Sequence, residues 1–192
     1  MISDEIEIIR NLVKGYKDQL PRLTILVFGP GKKNQDSYAK KCFKKRYEIR
    51  SFLREQNHKA ILPEEAYQEA KRLNHEGLTI TSFEKYLIEQ CDLAIFLHVP
   101  NCPGVEHELS TFATMPGCIR KMLLFHANDC NYDPKWVFQE RVKQIKGGNG
   151  RIETFSENEI EQCHLRKRLI DIIGFIVSLL SLYPYKKYED GG

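Results

Sequence analysis

The sequence lacks the short motifs that mark the best-known nucleotide and metal sites. It contains neither the GxxxxGKS/T loop nor the GxGxxG fingerprint, in which backbone N–H groups at a helix start cradle phosphates. Its six cysteines form no CxxC pair, and its six histidines show no metal-ligand spacing. We therefore expect no metal site, no cofactor, and cysteines that are reduced and structural.

The chain also has little excess charge of either sign. The net charge is only +3, which does not favour a nucleic-acid-binding protein. The basic residues between Lys40 and Arg46 are expected to form a solvated helix face, with a phosphate contact as the alternative.

Long apolar runs are missing as well. The most apolar stretch, Leu169–Tyr183, is shorter than the roughly 20 residues of a bilayer span, and Asp171 interrupts it. We expect no membrane role, but a C-terminal helix that is buried or shared with a second subunit, and hence a homo-oligomer. No basic-then-apolar leader opens the chain, so we expect a cytoplasmic protein.

What the sequence does contain is a regular alternation of apolar strands and amphipathic helices. It predicts an α/β fold, a flavodoxin/Rossmann-like three-layer sandwich with a central parallel sheet of about five strands. One domain would span 1–192, with an N-terminal helix over 1–20, an α/β core over 23–155 and a long C-terminal helix over 157–183. The predicted strands are Leu23–Phe28, Lys59–Leu62, Asp92–Val99, Lys121–Phe125 and Ile152–Phe155.

The helices follow from apolar spacing and capping residues. Ser82 is expected to cap the helix that ends at Gln90. The predicted helices are 3–18, 38–56, 66–74, 82–90, 105–115, 136–145 and 157–182. The helix over 38–56 is expected to direct inward its apolar residues Phe43, Tyr47, Ile49, Phe52 and Leu53.

Distinctive residues follow two of the predicted strands. Gly29 and Pro30 come after the first strand, and Glu106 and Glu108 come after the third. In an open α/β sheet, ligands bind outside the carboxyl ends of the strands, and a Gly lets backbone approach a ligand closely. Lys32 stands beside a predicted helix start, which suits an anion. The pattern indicates a small-molecule site, and favours an enzyme.

Glu108 is the strongest catalytic candidate. It lies near the start of a predicted helix and beside the buried stripe of that helix. A carboxylate there can attack an anomeric carbon or stabilise an oxocarbenium-like cation. The alternative is an acid that only complements the helix dipole. Glu106 points to a different face and is expected to meet solvent or a charged group of the ligand.

Further acids lie near the same two strands. Glu84, on the helix leading into the third strand, can act as general acid or base, or is an ordinary exposed glutamate. Asp92 is expected to anchor the start of the third strand. Glu64 follows the second strand, where an acid can bind ribose hydroxyls, or is a solvated loop acid. His98 ends the third strand and is expected to be a core residue.

Taken in order, these residues resemble the nucleoside 2-deoxyribosyltransferase family. Phe28-Gly29-Pro30 resembles the family's Ala-Gly-Pro after its first strand. Glu84 lies eight residues before Asp92, where the family carries an Asp eight residues before the Asp that opens its third strand. The segment 104–113 is similar to the signature Gly-Thr-Ala-Phe-Glu-Leu-Gly-Tyr-Ala, with Glu108 on the catalytic Glu. Further matches within the similar region, 23–125, are Arg50, Leu53 and Pro63-Glu64.

The resemblance implies an enzyme that acts on the N-glycosidic bond of a nucleoside or nucleotide. Glu108 would be the nucleophile that forms a glycosyl-enzyme intermediate, and Glu84 would assist at the base or orient Glu108. The resemblance also implies an oligomer whose sites borrow residues from a neighbouring subunit. The candidate substrate-binding residues are Gly29, Pro30, Lys32, Glu64, Gly104 and Glu106.

The sequence departs from the family pattern in three places. Asn101-Cys102-Pro103 stands where the family usually has an Asp that helps bind the nucleoside, and Ser110 replaces a Gly. The loop after Pro30 is more basic, which favours a phosphorylated substrate over a free nucleoside. Hydrolysis and transfer both stay open.

Three other interpretations stay open too. TIR-type domains share the flavodoxin-like sheet and use a helix-borne Glu to cleave the nicotinamide bond of NAD. Phosphoribohydrolases of the lysine-decarboxylase-like group carry Pro-Gly-Gly-x-Gly-Thr-x-x-Glu, which the segment from Pro103 to Glu108 resembles only faintly. A non-catalytic nucleotide-sensing or partner-binding module is the third, since bacterial defence systems use domains of this kind as effectors or sensors.

Overall fold

Five parallel strands form one sheet at the centre of the chain. The computed structural model describes residues 6–12, 15, 20–73, 77, 79–128, 136–161 and 164–182. The strand order is β2-β1-β3-β4-β5, with every neighbouring pair parallel. This is the flavodoxin-like order, and it confirms the predicted fold class. The strands are β1 Thr24–Phe28, β2 Lys59–Ile61, β3 Leu93–His98, β4 Met122–Ala127 and β5 Arg151–Phe155.

Helices connect these strands and flank the sheet. Helix bounds differ from the prediction mainly at their starts. The helix predicted over 66–74 begins at Pro63, because proline suits a first helical position. The helix predicted over 82–90 begins at Ile80, and its cap is Thr79 rather than Ser82. The helices are α1 Ser37–Glu55, α2 Pro63–Arg72, α3 Ile80–Gln90, α4 Pro103–Phe112, α5 Pro116–Ile119, α6 Trp136–Gly147, α7 Glu157–Glu161 and α8 His164–Leu182.

The central strands β1 and β3 are apolar because both of their faces are covered. Every residue of β3 is buried, and so are the last four residues of β1. Asp92 anchors the start of β3 as predicted, since its Oδ2 accepts a 2.7 Å hydrogen bond from the N–H of Thr24. The sheet therefore has a rigid middle from which loops and helices emerge at fixed places.

The buried face of α1 differs from the predicted one. Phe43 and Tyr47 lie only half-buried and pack on each other with ring centroids 5.1 Å apart. The buried positions are Tyr38, Ala39, Cys42, Arg46, Ile49, Phe52 and Leu53. An arginine thus occupies a core position of this helix, contrary to the expectation that the basic run forms a solvated face.

The chain divides into two compact units, Leu23–Leu165 and the two ends, Met1–Arg22 with Arg166–Gly192. The sheet belongs to the first unit. In the second, residues 6–12 are helical, and α8 buries Leu169, Ile172, Ile173 and Val177. The predicted helix 157–182 corresponds to α7 and α8, while residues 162 and 163 lie outside the described residues. Among the helices that the structure describes, none is long and apolar enough to cross a membrane.

Candidate active site

The strand order places a topological switch point, where open α/β sheets form a crevice, at the carboxyl ends of β1 and β3. The chain leaves β1 for β2 on one side and later returns to β3 on the other, and ligands bind at such a switch point. Gly29 and Pro30 follow β1 directly, and both are buried. Two of the predicted residues therefore stand at the place where this fold forms a binding site.

Packing of Phe112 fixes the position of Glu108. Phe112, at the end of α4, is fully buried against Phe28 of β1 and Phe96 of β3, with ring centroids 5.9 and 6.4 Å away. Residues four apart lie on the same face of a helix. Glu108 therefore lies on the sheet-facing side of α4, one turn closer to the start of the helix and to the crevice.

The same local rule places Glu84. Ile88 of α3 is fully buried, and Glu84 precedes it by four residues on the same face. Since α3 ends just before β3 begins, its first turns lie toward the carboxyl end of that strand. Glu84 is only 7% exposed, which excludes the alternative of an ordinary exposed glutamate.

Glu64 joins these two residues through Arg46. Glu64 is the second residue of α2, and its Oε2 accepts a 2.8 Å hydrogen bond from Nη2 of the buried Arg46. We call Glu64, Glu84 and Glu108 the acid cluster, because the charge of each of the other two acts on Glu108. Glu64 is neither a free loop acid nor remote from the predicted catalytic residues.

Gly29 is a close-approach position. A Cβ added there would lie 2.6 Å from Cδ of Arg46 and 3.2 Å from Cβ of Leu97. The aliphatic part of Arg46 thus occupies the space that any other residue at 29 would fill. The observed neighbour of this glycine is a buried arginine, and its contact with a ligand stays a prediction.

Burial and mutual repulsion keep protons on the acid cluster. Burial, together with the charge of Glu64, raises the pKa of Glu84 to about 7, against an opposing effect of Arg46. Burial and the charge of Glu84 raise the pKa of Glu108 well above its usual value. Among the described residues, no hydrogen-bond partner meets the buried Oε2 of Glu108. Because the charge of Glu84 disfavours ionisation of Glu108, the pair keeps at least one proton near neutral pH.

Such a pair can supply an acid and a base at once. A carboxyl group that keeps its proton near pH 7 can donate that proton to a leaving group, while its ionised neighbour acts as nucleophile or base. The unpartnered oxygen of Glu108 is also a group that a ligand can satisfy, since a buried polar atom without a partner is costly.

The other predicted binding residues lie at the rim. Lys32 is exposed on a turn. Gly104 is exposed, and an added Cβ there would meet open space. Glu106 is half-buried and, after burial and Asp36, contributes to raising the pKa of Cys102 to about 12. These three residues are not part of the acid cluster, and their contact with a ligand stays a prediction.

The start of α1 carries an acidic cap, and the anion site expected beside Lys32 stays a prediction. Oδ1 of Asp36 accepts a 2.9 Å hydrogen bond from the N–H of Ala39 and so caps the helix with a negative charge. In the same loop, Nδ2 of Asn34 donates to the carbonyl of Asn101 at 3.1 Å. The β1–α1 loop is therefore tied to the β3–α4 loop, and both border the crevice.

His98 lies at the end of β3 as a buried residue, as expected. Its ring stacks on Phe138 with centroids 4.1 Å apart. Burial and the neighbouring His126 lower the pKa of His98 to about 3, so its ring is neutral near pH 7. No partner for its Nε2 lies among the described residues.

Sequence reasoning missed Arg46. A signal was present, because Arg46 stands four residues after Cys42 and three before Ile49, both buried. That spacing places it on the apolar stripe of α1. The neighbouring Lys44 and Lys45 made the whole segment look like a solvated basic face.

Comparisons with known proteins add no family assignment. No model of a known protein family and no curated protein matches the chain.

Proposed function

We propose that this protein cleaves the N-glycosidic bond of a nucleoside, a nucleotide or an NAD-like dinucleotide. The sugar passes either to water, which is hydrolysis, or to a second base, which is transfer. The observation that carries the proposal is the acid pair Glu84 and Glu108. The two carboxyl groups come from consecutive helices and lie beside the switch point of the sheet, and the charge of Glu84 helps to raise the pKa of Glu108. Paired carboxyl groups of this kind perform glycoside chemistry.

In the proposed reaction, Glu108 passes its proton to the ionised Glu84, and the resulting carboxylate of Glu108 attacks C1′ of the sugar. The C1′–N bond breaks, its electrons pass to the base nitrogen, and the carboxyl group of Glu84 donates a proton to the leaving base. A water molecule, deprotonated by Glu84, then attacks C1′ and releases Glu108. If a second base attacks in place of water, the same steps amount to transfer.

The charge balance of the site supports this chemistry. The acid cluster contains three carboxyl groups, and a single buried guanidinium, that of Arg46, opposes the ionisation-disfavouring effects on Glu84 and Glu108. The cluster therefore carries excess negative charge once it ionises. The transition state of glycosidic cleavage develops positive charge on the sugar. Preorganised negative charge stabilises such a transition state, particularly where water is excluded.

Two substrate classes predict different dependences on pH. A neutral nucleoside needs both a carboxylate and a proton for its leaving base, so its cleavage should speed up as pH rises through about 7, where the pair loses its first proton, and slow again at higher pH, where Glu108 loses the second. NAD carries a cationic nicotinamide that leaves without a proton, so its cleavage should speed up as the carboxyl groups ionise. The exposed Lys32 on the turn after β1 would serve a substrate that bears phosphate.

The test is chromatography of nucleosides, nucleotides and NAD after incubation with the purified protein. We expect release of a free base or nicotinamide by the native chain, and a loss of at least about 100-fold in Glu108→Gln, which keeps the size but removes the nucleophile. Glu89→Gln is the matched control, because Glu89 is exposed on α3. Cleavage that survives Glu108→Gln undiminished would contradict the proposal.

A nucleotide-binding module without turnover is the second candidate. The observation that favours it is the buried, unpartnered Oε2 of Glu108, since a protonated carboxyl group can bind a ligand by hydrogen bonds alone. Calorimetry with the same compounds separates the two functions. A compound that binds tightly and is recovered intact after long incubation supports the module, and release of a base supports the enzyme.

A further inference from the structure

Arg46 holds the end of β1 through hydrogen bonds of its two terminal nitrogens, while its buried Nε has no partner among the described residues. Nη1 donates to the carbonyl oxygens of Gly29 and Pro30 at 3.1 and 3.0 Å, and Nη2 donates to the carbonyl oxygen of Val27 at 3.0 Å. The residue is only 2% exposed. Its fourth hydrogen bond reaches Glu64 of α2. One guanidinium thus connects the β1 terminus to a member of the acid cluster.

We propose that Arg46 is the positioning residue of this site: it fixes the Gly29–Pro30 turn and supplies the buried positive charge that the three carboxyl groups of the acid cluster share. The inference rests on the proposed function for its catalytic meaning. Its physical content, an arginine that sets both the shape of the turn and the ionisation of the acids, can be measured without any substrate.

The geometry requires an arginine. The planar guanidinium can donate in two directions at once, whereas a lysine carries one compact charge that cannot reproduce this fork. Gly29 makes the arrangement possible, because a side chain there would meet Cδ of Arg46. The turn, the glycine and the arginine therefore form one unit.

The charges facing the acid pair come from each element around it. Arg46 on α1 favours the ionised forms of Glu84 and Glu108, and Glu64 on α2 disfavours them. The charge of Glu84 on α3 disfavours the ionised form of Glu108 on α4. Removing Arg46 and removing Glu64 must therefore move the ionisation of the pair in opposite directions.

The chain contains its own control for this inference. One turn further along α1, Arg50 pairs with Glu65, the residue next to Glu64. This second arginine–glutamate pair joins the same two helices, yet neither of its members acts on Glu84 or Glu108. A change at Arg50 tests the effect of losing an arginine from α1 without touching the acid cluster.

The first experiment is carbon-13 NMR titration of the glutamate carboxyl groups, with Glu84→Gln and Glu108→Gln used for assignment. Arg46→Met should raise the pKa of Glu84 by about 1 or more, and Glu64→Gln should lower it. Arg46→Lys should keep it within about 0.5 of the native value, because the charge remains. Arg50→Met should change it by less than about 0.3, because the pair at Arg50 lies outside the acid cluster.

Two results would overturn the inference. One is an unchanged pKa of Glu84 in Arg46→Met, and the other is an equal change in Arg50→Met. If Arg46→Met does not fold, Glu64→Gln decides, since an unchanged or raised pKa of Glu84 in that variant contradicts the charge balance.

The second experiment measures the release of base. Arg46→Lys should reduce kcat by about tenfold or more with the acid titration nearly intact, because the turn is misplaced while the charge remains. Arg50→Lys should stay within about twofold of the native rate, because Arg50 pairs with Glu65 and with no member of the acid cluster. Native rates in Arg46→Lys would contradict the positioning role. If the native chain cleaves nothing, the proposed function fails, while the titration still decides whether Arg46 controls the acids.

Discussion

At the scale of the residue, the central feature is a glutamate that keeps its proton. Glu84 is buried close to Glu64 and Glu108, and its pKa is raised to about 7 from an ordinary 4.5. Arg46 offsets only part of this effect, because it is shared between the turn after β1 and the acid cluster. A carboxyl group with this pKa is poised for proton transfer at neutral pH.

The raised pKa predicts a stability that falls as pH rises. Between pH 4.5 and about 7 the folded chain binds more protons at Glu84 than the unfolded chain does, so the free energy of unfolding decreases with pH. Glu84→Gln removes this loss and should exceed the native chain in stability at pH 8 by up to about 3 kcal/mol. Urea unfolding of both proteins at several pH values measures this difference in the free energy of unfolding.

Glu89→Gln is the control for that measurement, because the exposed Glu89 should leave the pH dependence unchanged. A difference between Glu84→Gln and the native chain that stays constant from pH 5 to 8 would contradict the prediction. The same measurement needs no knowledge of the substrate.

At the scale of the element, α3 shows how a helix start sets the place of a functional side chain. Oγ1 of Thr79 accepts a 3.2 Å hydrogen bond from the N–H of Ser82, so the helix begins at Ile80. Glu84 then lies in the second turn, and Ile88 is buried one turn later. A later start at Ser82 would leave Glu84 in the first turn, where helices fray.

Thr79→Ala should lower the free energy of unfolding by about 1 kcal/mol, because the cap accepts an otherwise unsatisfied backbone N–H. Thr79→Ser should retain most of this stability, since its hydroxyl oxygen can accept the same bond. Thermal or urea unfolding distinguishes the two variants. An equal loss in both would show that the methyl group of Thr79, rather than its oxygen, stabilises α3.

At the scale of the whole molecule, the expected homo-oligomer stays a prediction. Ile170 and Phe175 of α8 are large apolar residues that are about half exposed in the single chain. If α8 joins two copies, sedimentation equilibrium should give at least twice the monomer mass for the native chain. Ile170→Asp should shift it toward the monomer, because a charge at an apolar interface is costly.

Asp171→Asn, at the exposed neighbouring position, is the control and should leave the native mass unchanged. A native chain that sediments as a monomer at high concentration would contradict the prediction. In that case the acid cluster would have to act with residues of one chain alone.

Much of the site could be predicted because the decisive rules are local. Apolar runs that end in Gly29 and in the segment before Glu108 predict buried parallel strands and therefore a crevice at their carboxyl ends. The spacing of four residues between Glu108 and Phe112 predicts that the glutamate faces the sheet. Asp92 was predicted as an anchor on the same grounds, and the structure confirms it.

Other features could not be read from neighbouring residues. Phe43 and Tyr47 look like core residues of α1, yet they pack on each other at the half-buried side of the helix. Arg46 looks like part of a basic surface, yet it is buried. Apolar spacing alone allows the face with Phe43 and Tyr47 or the face with Arg46 to be buried. The choice depends on which face of α1 the sheet and α2 cover.

The sequence by itself determined the alternation of strands and helices, and with it the sheet class and the edge at which a site forms, because those features depend on spacing along the chain. Only the tertiary structure decided that Arg46 points inward, that Gly29 makes room for it and that Glu64 pairs with it. The reason is physical: a buried charge is stable only where partners distant in sequence converge on it. Here those partners are three carbonyl oxygens at the end of β1 and one carboxylate of α2.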